Sequence, residues 1–484
     1  MGSNLQSNDG KNTPIWTVNS NAGVAAQWGF SGAETRQRLL DPSKTEVDPR
    51  GKVPDNIDTI GDKAAISKRG WGEISKQFYG DFLVWLERML NDSPAERESL
   101  LASLSGNGAD QAAQALSPED GAFLPLTDDE IKGLRKYYLP VHACGYNWLQ
   151  SNEESAKTDL VKRINEITKI YNTKYMRCNQ VILVTHSMGG LVSRACSELA
   201  GLRPQIAGIV HGAQPAIGAS VAYRRCKVGM WDEDAGVALV MGTNGPKVVA
   251  VFSNSPGALQ LLPSQDYSNN WLTVLGHNGQ LLKQVPESDP YGEIYGVRDK
   301  WWGLIDESWL QTSATQKITW GAYKDNLAIA QDFHSRLSGH FHSTTYVFYG
   351  DDPAHPSFEK LTWQVTSGAT AKSDYTPLDD IPDLSYSQVK YDGDNAVYID
   401  GKPGFFGGQN YTWQIKLDMQ DGTGDGTVPD SSGNSPARTS KPASNIKQQF
   451  KLGGFEHSGA YENAAARLTT LYSITKIVAK VTAK

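Results

Sequence analysis

The stretch Val181-Ile-Leu-Val-Thr-His-Ser-Met-Gly-Gly-Leu-Val192 constrains the fold of this chain more than any other. Four apolar residues suited to a buried strand are followed by a turn of small residues, and then by a segment that can form a helix. The turn places Ser187 between His186 and the pair Gly189 and Gly190. This pattern predicts a nucleophile elbow, a strained strand-to-helix turn that exposes a serine hydroxyl at the end of a sheet.

The elbow departs from the usual Gly-x-Ser-x-Gly at its first position, which is Thr185. Small residues other than glycine can fit there, so the prediction stands. The helix that follows Ser187 would supply backbone N–H groups and a positive dipole end, which suit an oxyanion. We therefore expect the N–H of Met188 to be one oxyanion donor.

A serine needs a base and an orienting acid before it becomes a good nucleophile, and α/β-hydrolases supply them in the order Ser, Asp or Glu, His. His457 lies in a loop before a predicted terminal helix, where this fold places its general base. The Gly-rich loop after the strand-like segment 411–417 offers the acid. We favour Asp425, because its flanking glycines let the carboxylate reach an imidazole. The alternatives are the other loop aspartates, Asp418 and Asp421, and the runners-up Asp351 and Asp352.

These segments together resemble the lipase branch of the α/β-hydrolases that includes lecithin:cholesterol acyltransferase and the GPI-inositol-deacylase-like lipases. The resemblance is carried by residues 181–194, by the acid motif at 424–429, and by the segments 142–148 and 255–263. The bacterial members, among them antibacterial phospholipase effectors of type VI secretion, are most similar. The resemblance implies an α/β-hydrolase fold with a mostly parallel central sheet and a large cap or lid insertion. It also implies a triad of Ser187, Asp425 and His457.

The resemblance further implies an A-type phospholipase that acts through an acyl-serine, at a membrane surface to which it binds peripherally. An immunity protein and a component of the secretion apparatus are the implied protein partners. Two alternatives stay open: an acyltransferase or small-substrate esterase of the same fold, and a non-catalytic binding protein built on it.

The start of the chain is a second departure. Such lipases usually begin with an apolar strand and a Pro-Gly-x-x-Gly-Ser turn whose backbone gives the second oxyanion donor. Here Met1-Gly2-Ser3 resembles only the end of that turn. We expect a second donor near Gly2. The alternatives are that the natural start lies upstream, or that the donor comes from elsewhere.

Composition excludes several classes of protein. A net charge of −7 provides no basic footprint for nucleic acid. Four cysteines in 484 residues are too few for a disulfide framework, and none has metal-ligand spacing. No apolar run is long enough for a transmembrane helix, and no signal peptide is visible. An exported role would then need a dedicated apparatus, and the resemblance to the bacterial effectors implies synthesis in the bacterial cytoplasm and secretion into the target-cell periplasm.

The chain divides into a hydrolase core at 1–214 with an insert at about 91–130, a cap at 215–342, and a second core part at 343–484 with a surface insert at about 373–408. Within the core, residues 71–90 have helical spacing, 139–144 and 206–211 are predicted strands, and 159–171 is a predicted helix. In the cap, Trp301, Trp302 and Trp320 are candidates for a lid face that meets lipid, with packing on the core as the alternative.

No cofactor is predicted. Asp418, Asp421, Asp425 and Asp430 could present oxygens to a structural calcium. Their spacing does not fit an EF-hand loop, and one of them is assigned to the triad, so no metal is predicted.

Overall fold

We analysed a computed structural model of the chain. The structure describes residues 2–17, 28–29, 31–57, 60–92, 94–119, 123–230, 233, 242–367, 376–391, 396–399, 402–403, 409–410 and 412–481. Its strands are β1 (Leu5–Ser7), β2 (Pro14–Trp16), β3 (Thr45–Val47), β4 (Val181–His186), β5 (Ile206–Gly212), β6 (Leu272–Leu275), β7 (Leu281–Val285), β8 (Thr345–Gly350), β9 (Asp352–Ser357), β10 (Leu361–Ser367), β11 (Val389–Tyr391), β12 (Ala396–Ile399), β13 (Lys402–Pro403), β14 (Gln409–Asn410), β15 (Trp413–Leu417), β16 (Gly422–Gly424) and β17 (Ile446–Leu452).

The α-helices are α1 (Ala33–Leu39), α2 (Lys63–Lys68), α3 (Lys76–Asn91), α4 (Ala95–Ser103), α5 (Ala109–Leu116), α6 (Asp128–Leu134), α7 (Asn152–Ser155), α8 (Val161–Tyr171), α9 (Gly189–Glu198), α10 (Val221–Val228), α11 (Gly245–Phe252), α12 (Pro256–Leu259), α13 (Trp320–Leu337), α14 (Asp430–Gly433), α15 (Ser435–Thr439) and α16 (Ala464–Val478). Short 3-10 or π segments, such as Ala156–Leu160 before α8, join several of them.

The main sheet contains four parallel strands in the order β17-β8-β5-β4. Continuous apolar runs such as that of β4 suit a parallel sheet, which is covered by helices on both faces. Helices α3 and α16 form one buried layer with β5, β8 and β17. Helices α8 and α9 contribute to the core on the opposite face. Because the four strands are parallel, their carboxyl ends lie together at one edge of the sheet.

A second sheet of six strands, in the order β11-β12-β15-β10-β6-β7, builds the cap. Its core contains many aromatic side chains and is separate from those of the main sheet. Strands β6 and β7 lie in the predicted cap at 215–342, whereas β10, β11, β12 and β15 come from the predicted second part of the core. The cap is thus larger than the predicted insertion, and the described parts of 373–408 include two of its strands.

The predicted helices at 71–90 and 159–171 correspond to α3 and α8 with short 3-10 or π turns before them, and the predicted strand at 206–211 is β5. Helix α3 begins where the Ser75 side chain accepts a hydrogen bond from Phe78 N–H. Residues 139–144 are not a strand, contrary to the prediction. Within the described ranges, no helix is both long enough and apolar enough to cross a membrane.

Candidate active site

The turn after β4 has the geometry of a nucleophile elbow. Ser187 has a φ of 55°, in the left-handed region that a residue with a side chain seldom adopts. Its N–H donates to Gly212 O at the end of β5, at 2.9 Å, and its carbonyl accepts from Gly190 N–H as α9 begins. The strain therefore persists because both sides of the turn are fixed by the sheet and the helix.

The two glycines of the elbow differ in what surrounds them. A Cβ on Gly190 would lie 2.6 Å from Cγ of the buried Gln214, whereas one on Gly189 would meet nothing nearer than the Tyr146 hydroxyl at 3.8 Å. Only Gly190 is therefore required by close packing. Met188, at the start of α9, is buried, and its N–H donates to no backbone group of the described residues. That N–H is available to a developing oxyanion.

His457 contacts the serine from the loop after β17, the strand at the opposite edge of the main sheet. It lies five residues after β17, at the start of a 3-10 turn in which the Glu456 side chain accepts a hydrogen bond from Gly459 N–H. Its Nε2 is 2.8 Å from Ser187 Oγ, and its Nδ1 is 2.8 Å from Asp425 Oδ2. Because a carboxylate can only accept, Nδ1 carries the proton, which leaves Nε2 free to accept from the serine hydroxyl.

Asp425 is almost completely buried, with 1% of its surface exposed. Burial alone would raise the pKa of its carboxyl. The imidazole of His457 and the N–H groups of Thr427 and Val428, which donate to Oδ1 at 3.1 and 2.7 Å, more than offset it, so that the pKa lies below the usual value. The acid is therefore ionised and held by three donors.

The route by which Asp425 reaches the site was not foreseen from the sequence. The strand that precedes its loop, β15, belongs to the cap sheet. The carboxylate arrives through β16, which pairs with β9 so that Gly424 lies opposite Asp352. Strand β9 directly continues β8 of the main sheet. A two-stranded ribbon thus carries the acid from the cap side to the end of the main sheet.

His186 joins the elbow to the loop of the base. Its Nε2 is 2.8 Å from the backbone carbonyl of His457, and its Nδ1 is 2.8 Å from the Tyr79 hydroxyl. Since the carbonyl only accepts, Nε2 must be the donor, and Nδ1 accepts from Tyr79. Burial lowers the pKa of His186 to about 3, so this ring is neutral. Sequence reasoning placed His186 in the elbow and missed Tyr79, since a tyrosine on a core-facing helix gives no separate signal.

Thr185 and Tyr461 complete the support behind the serine. The Thr185 hydroxyl is 3.0 Å from Nδ1 of the buried His211, and the Tyr461 hydroxyl donates to the Thr185 carbonyl at 2.9 Å. Threonine is thus accommodated at the first elbow position, where its side chain has a partner on β5.

Comparison with known proteins bears on the fold of the chain. A family model described as the PGAP1-like alpha/beta domain matches residues 153–232, the part that contains β4, the elbow and β5. The fold is that of an α/β-hydrolase. A chain of the solved Tle4–Tli4 complex is similar to this one over 99% of its residues and 96% of that chain, with a TM-score of 0.79 and 29% identity. No curated protein matches the chain. The predicted fold class and the predicted resemblance to lipases of the type VI effector group are confirmed.

The other acid candidates have different partners. Asp351 contacts Lys451 and the Thr423 hydroxyl. Asp352 pairs with His355 at 3.1 Å and accepts from Gly454 N–H at 2.7 Å. Asp421 accepts from the backbone N–H groups of residues 359 and 360. None of these carboxylates contacts His457.

The carboxylates considered for calcium do not converge. Asp425 is bonded to His457, Asp421 to a turn, and Asp430 to the Asn434 side chain. Among the residues that the structure describes, no group of three or more His, Cys, Asp or Glu side chains could hold a metal ion.

The tryptophans proposed for a lid face lie elsewhere. Trp301 and Trp302 are 0% and 5% exposed and donate through their indole N–H groups to the carbonyls of Ile381 and Pro382. They belong to the core of the cap, so they cannot meet lipid in this conformation, and packing is the role that the structure gives them. Trp320 is half-buried at the start of α13, where it packs against Tyr323.

Gly2 lies close to the elbow. A Cβ at this position would approach the ring of Tyr79 to 2.6 Å, and Tyr79 in turn contacts His186. The segment that follows is held by hydrogen bonds from Ser75 N–H to Gly2 O and from Tyr146 N–H to the Ser3 hydroxyl. Its position fits the predicted second donor, which stays a prediction.

Proposed function

We propose that this protein is a serine hydrolase that cleaves the carboxylic esters of phospholipids, with Ser187, His457 and Asp425 as its catalytic residues. The observation that carries the proposal is the continuous hydrogen-bonded chain from Ser187 Oγ through both nitrogens of His457 to Asp425. The order of these residues in the chain is the one that α/β-hydrolases use.

In the first half of the reaction, Ser187 Oγ attacks the ester carbonyl while His457 Nε2 takes its proton. The tetrahedral intermediate collapses as Nε2 returns that proton to the leaving alcohol, and an acyl-serine forms. In the second half, water loses a proton to Nε2 and attacks the acyl group, which releases a fatty acid and restores Ser187. Asp425 fixes the tautomer of His457 and stabilises its charged form in both halves.

The N–H of Met188 is the proposed first donor to the oxyanion, and a backbone N–H near Gly2 the second. Removal of one such donor costs on the order of 10²-fold in rate or more in enzymes of this kind. No cofactor takes part in this scheme, since acyl transfer through a serine requires only the base, the acid and the donors.

The similarity to a chain of the Tle4–Tli4 complex supports a bacterial lipase effector. We propose A-type cleavage at the surface of the target membrane, to which the protein binds peripherally, after delivery by a secretion apparatus into the periplasm of the target cell. A dedicated immunity protein that blocks the mouth of the active site would protect the producing cell.

The test is the release of fatty acid from vesicles of 1-palmitoyl-2-oleoyl phosphatidylethanolamine and phosphatidylglycerol. The wild type is compared with Ser187→Ala and with Ser473→Ala, whose buried hydroxyl donates to Thr469 O within α16. We expect release by the wild type and Ser473→Ala, and none by Ser187→Ala. Because the vesicle lipids carry palmitate at position 1 and oleate at position 2, the released fatty acid identifies the acyl position that is cleaved.

A short-chain soluble ester is assayed in parallel. Activity on the soluble ester alone would replace the proposal with a small-substrate esterase or, if an added alcohol is acylated, an acyltransferase. Inactivity of the folded wild type on every ester would favour a non-catalytic binding protein. Toxicity in the periplasm of a susceptible bacterium that disappears with Ser187→Ala tests the effector role.

A further inference from the structure

Arg225, in α10, holds a carboxylate close to the loop of the proposed catalytic acid. Its Nε and Nη2 donate to both carboxylate oxygens of Glu233 at 2.7–3.2 Å, and Nη1 of the neighbouring Arg224 donates to one of them at 2.7 Å. The side chains of Arg225 and Glu233 are only 19% and 15% exposed. A guanidinium binds a carboxylate and a phosphate by the same planar fork of N–H donors, so this position suits either anion.

The same guanidinium contacts the acid loop itself. Nη2 of Arg225 donates to the Thr427 hydroxyl at 3.4 Å. The N–H of Thr427 donates to Asp425 Oδ1 at 3.1 Å, and Asp425 Oδ2 lies 2.8 Å from His457 Nδ1. Along this chain of hydrogen bonds, only Thr427 and Asp425 separate the guanidinium from the imidazole of the proposed triad.

The turn between the guanidinium and the imidazole leaves room for a ligand. Gly426 lies between Asp425 and Thr427, and a Cβ built on it would meet no atom of the described residues within 4 Å. Gly426, Thr427 and Arg225 are all partly exposed. A group that approaches this turn from solvent can therefore reach Arg225 without displacing the backbone of the acid loop.

The proposed reaction decides which part of the substrate lies on this side of the triad. His457 Nε2 must return its proton to the leaving alcohol, so that alcohol has to lie within hydrogen-bond reach of His457. When either acyl ester of a phospholipid is cleaved, the leaving alcohol is a lysophospholipid, which carries the phosphodiester. Ser187 lies at one nitrogen of the imidazole, and the acid loop with Arg225 lies at the other. The phosphodiester is thus the part of the substrate that extends past His457 toward Arg225.

We propose that Arg225 binds the phosphodiester of the substrate and that Glu233 occupies this position when no lipid is bound, a role that rests on the proposed cleavage of phospholipid esters. A phosphodiester resembles the Glu233 carboxylate in its single negative charge and in the two oxygens that it offers to the fork. The exchange replaces one anion by another, so Arg225 is never left partly buried without a partner, which would be costly. A neutral glyceride offers no anion, and Glu233 then stays in place.

The test is the binding of soluble lipids to the full chain in a Ser187→Ala background, so that no lipid is consumed. Isothermal titration calorimetry gives Kd for dihexanoyl phosphatidylglycerol, for dihexanoylglycerol, which has the same acyl chains without a phosphate, and for inorganic phosphate. Arg225→Gln and Glu233→Gln are compared with the matched control Arg298→Gln. Arg298 also holds a glutamate, Glu307, from Nε and Nη2 at 2.6 and 2.8 Å, but among the described residues it has no hydrogen bond with the acid loop.

We expect the Ser187→Ala parent to bind the phospholipid more tightly than the neutral glyceride. Arg225→Gln should weaken phospholipid binding by at least about 10-fold, because hydrogen bonds to a charged group are lost. Glu233→Gln should strengthen it by about 3-fold or more, because the competing carboxylate is removed. The ratio of the two lipid Kd values therefore changes in opposite directions in the two variants, and Arg298→Gln should keep the ratio of the parent.

Four outcomes overturn the proposal: no preference of the parent for the phospholipid, an equal loss of affinity for both lipids in Arg225→Gln, unchanged or weaker phospholipid binding in Glu233→Gln, or inorganic phosphate bound as tightly as the phospholipid. The second would give the ion pair a structural role only, and the last would assign Arg225 to a free anion. If circular dichroism shows that Arg225→Gln does not fold, the Glu233→Gln result decides alone. Absence of ester hydrolysis by the wild type would contradict the proposed function, whereas these affinities concern only the role of Arg225.

Discussion

Replacement of Asp425 by Asn tests the geometry of the site most directly. In the native site Oδ1 accepts from Thr427 and Val428 N–H, and Oδ2 faces His457 Nδ1 at 2.8 Å. Asn has one oxygen, and the two backbone donors require it. The side-chain NH₂ must then face Nδ1, which becomes an acceptor, and the imidazole proton moves to Nε2. Nε2 then donates to Ser187 and cannot take its proton.

The expected loss is about 10⁴-fold in kcat, the size that the same exchange produces in serine proteases through the same tautomer error. This corresponds to about 5.5 kcal/mol of transition-state stabilisation. The assay is kcat on the soluble ester or the vesicles, whichever the wild type hydrolyses, with circular dichroism and thermal unfolding to show that the variant is folded.

Asp352→Asn is the matched control. Asp352 also holds a histidine Nδ1, that of His355 at 3.1 Å, and also accepts from backbone N–H groups, those of Ala354 and Gly454, but it has no contact with Ser187 or His457. We expect its kcat to stay within a few-fold of the wild type. A folded Asp425→Asn variant that kept a tenth or more of the activity would refute the assignment of the acid, as would a large loss in the control.

Three further predictions concern packing at the elbow, the hydrogen bond of Tyr79 and the pH dependence of stability. Gly190→Ala, whose Cβ would lie 2.6 Å from a buried side chain, should lower the unfolding free energy by about 1–3 kcal/mol. Gly189→Ala should leave it almost unchanged. Urea unfolding of both variants tests this difference. Tyr79→Phe leaves the buried Nδ1 of His186 without its donor, which should cost about 1–3 kcal/mol in unfolding free energy. It should also lower kcat/KM on the order of 10-fold. A kcat/KM equal to that of the wild type would show that this hydrogen bond does not position the site. Burial lowers the pKa of His211 to about 3 and of His334 to about 4. In the unfolded chain these histidines bind protons near the ordinary histidine pKa of about 6.5, whereas in the folded chain they do not. The free energy of unfolding therefore falls as pH drops below that value, by about 2 kcal/mol per ring at pH 5. Equal urea midpoints at pH 7 and pH 5 would contradict this.

The three residues of the proposed triad, which the structure joins by hydrogen bonds, could be selected from the sequence because each lies in a local pattern with a chemical reason. The elbow at Ser187 requires a strand, a positive φ and close helix packing, and all three leave traces within a dozen residues. His457 follows the last strand and precedes the last helix. Asp425 lies between two glycines that give its loop conformational freedom, and Gly426 has a φ of 84°.

The cap could not be predicted in the same way, because its sheet is assembled from segments that lie far apart in the chain. Strands β6 and β10 are parallel neighbours although about 90 residues separate them, and β15 joins them from a third segment. The periodicity of apolar residues indicates which face of a helix or strand is buried, but it does not indicate which other element packs against that face. The same limit explains the tryptophans, whose aromatic pattern suits a lipid-facing lid and a buried core equally well.

Residues 139–144 show a different limit. Their sequence favours a strand, but a strand also requires a partner, and none of the described strands pairs with this segment. Sequence pattern fixes the preference of a segment, whereas pairing is decided by what lies next to it.

The link through His186 explains how the strained elbow and the distant base loop stay in register. His186 immediately precedes the nucleophile, and its Nε2 donates to the backbone carbonyl of His457. Because burial lowers the pKa of this ring to about 3, it is neutral at any pH at which the enzyme would work, and its donor does not change. The two loops are thus joined by a hydrogen bond that does not involve Ser187 Oγ. Removal of that hydroxyl in Ser187→Ala should therefore abolish turnover while His457 stays in place, so that the inactive variant still binds substrate.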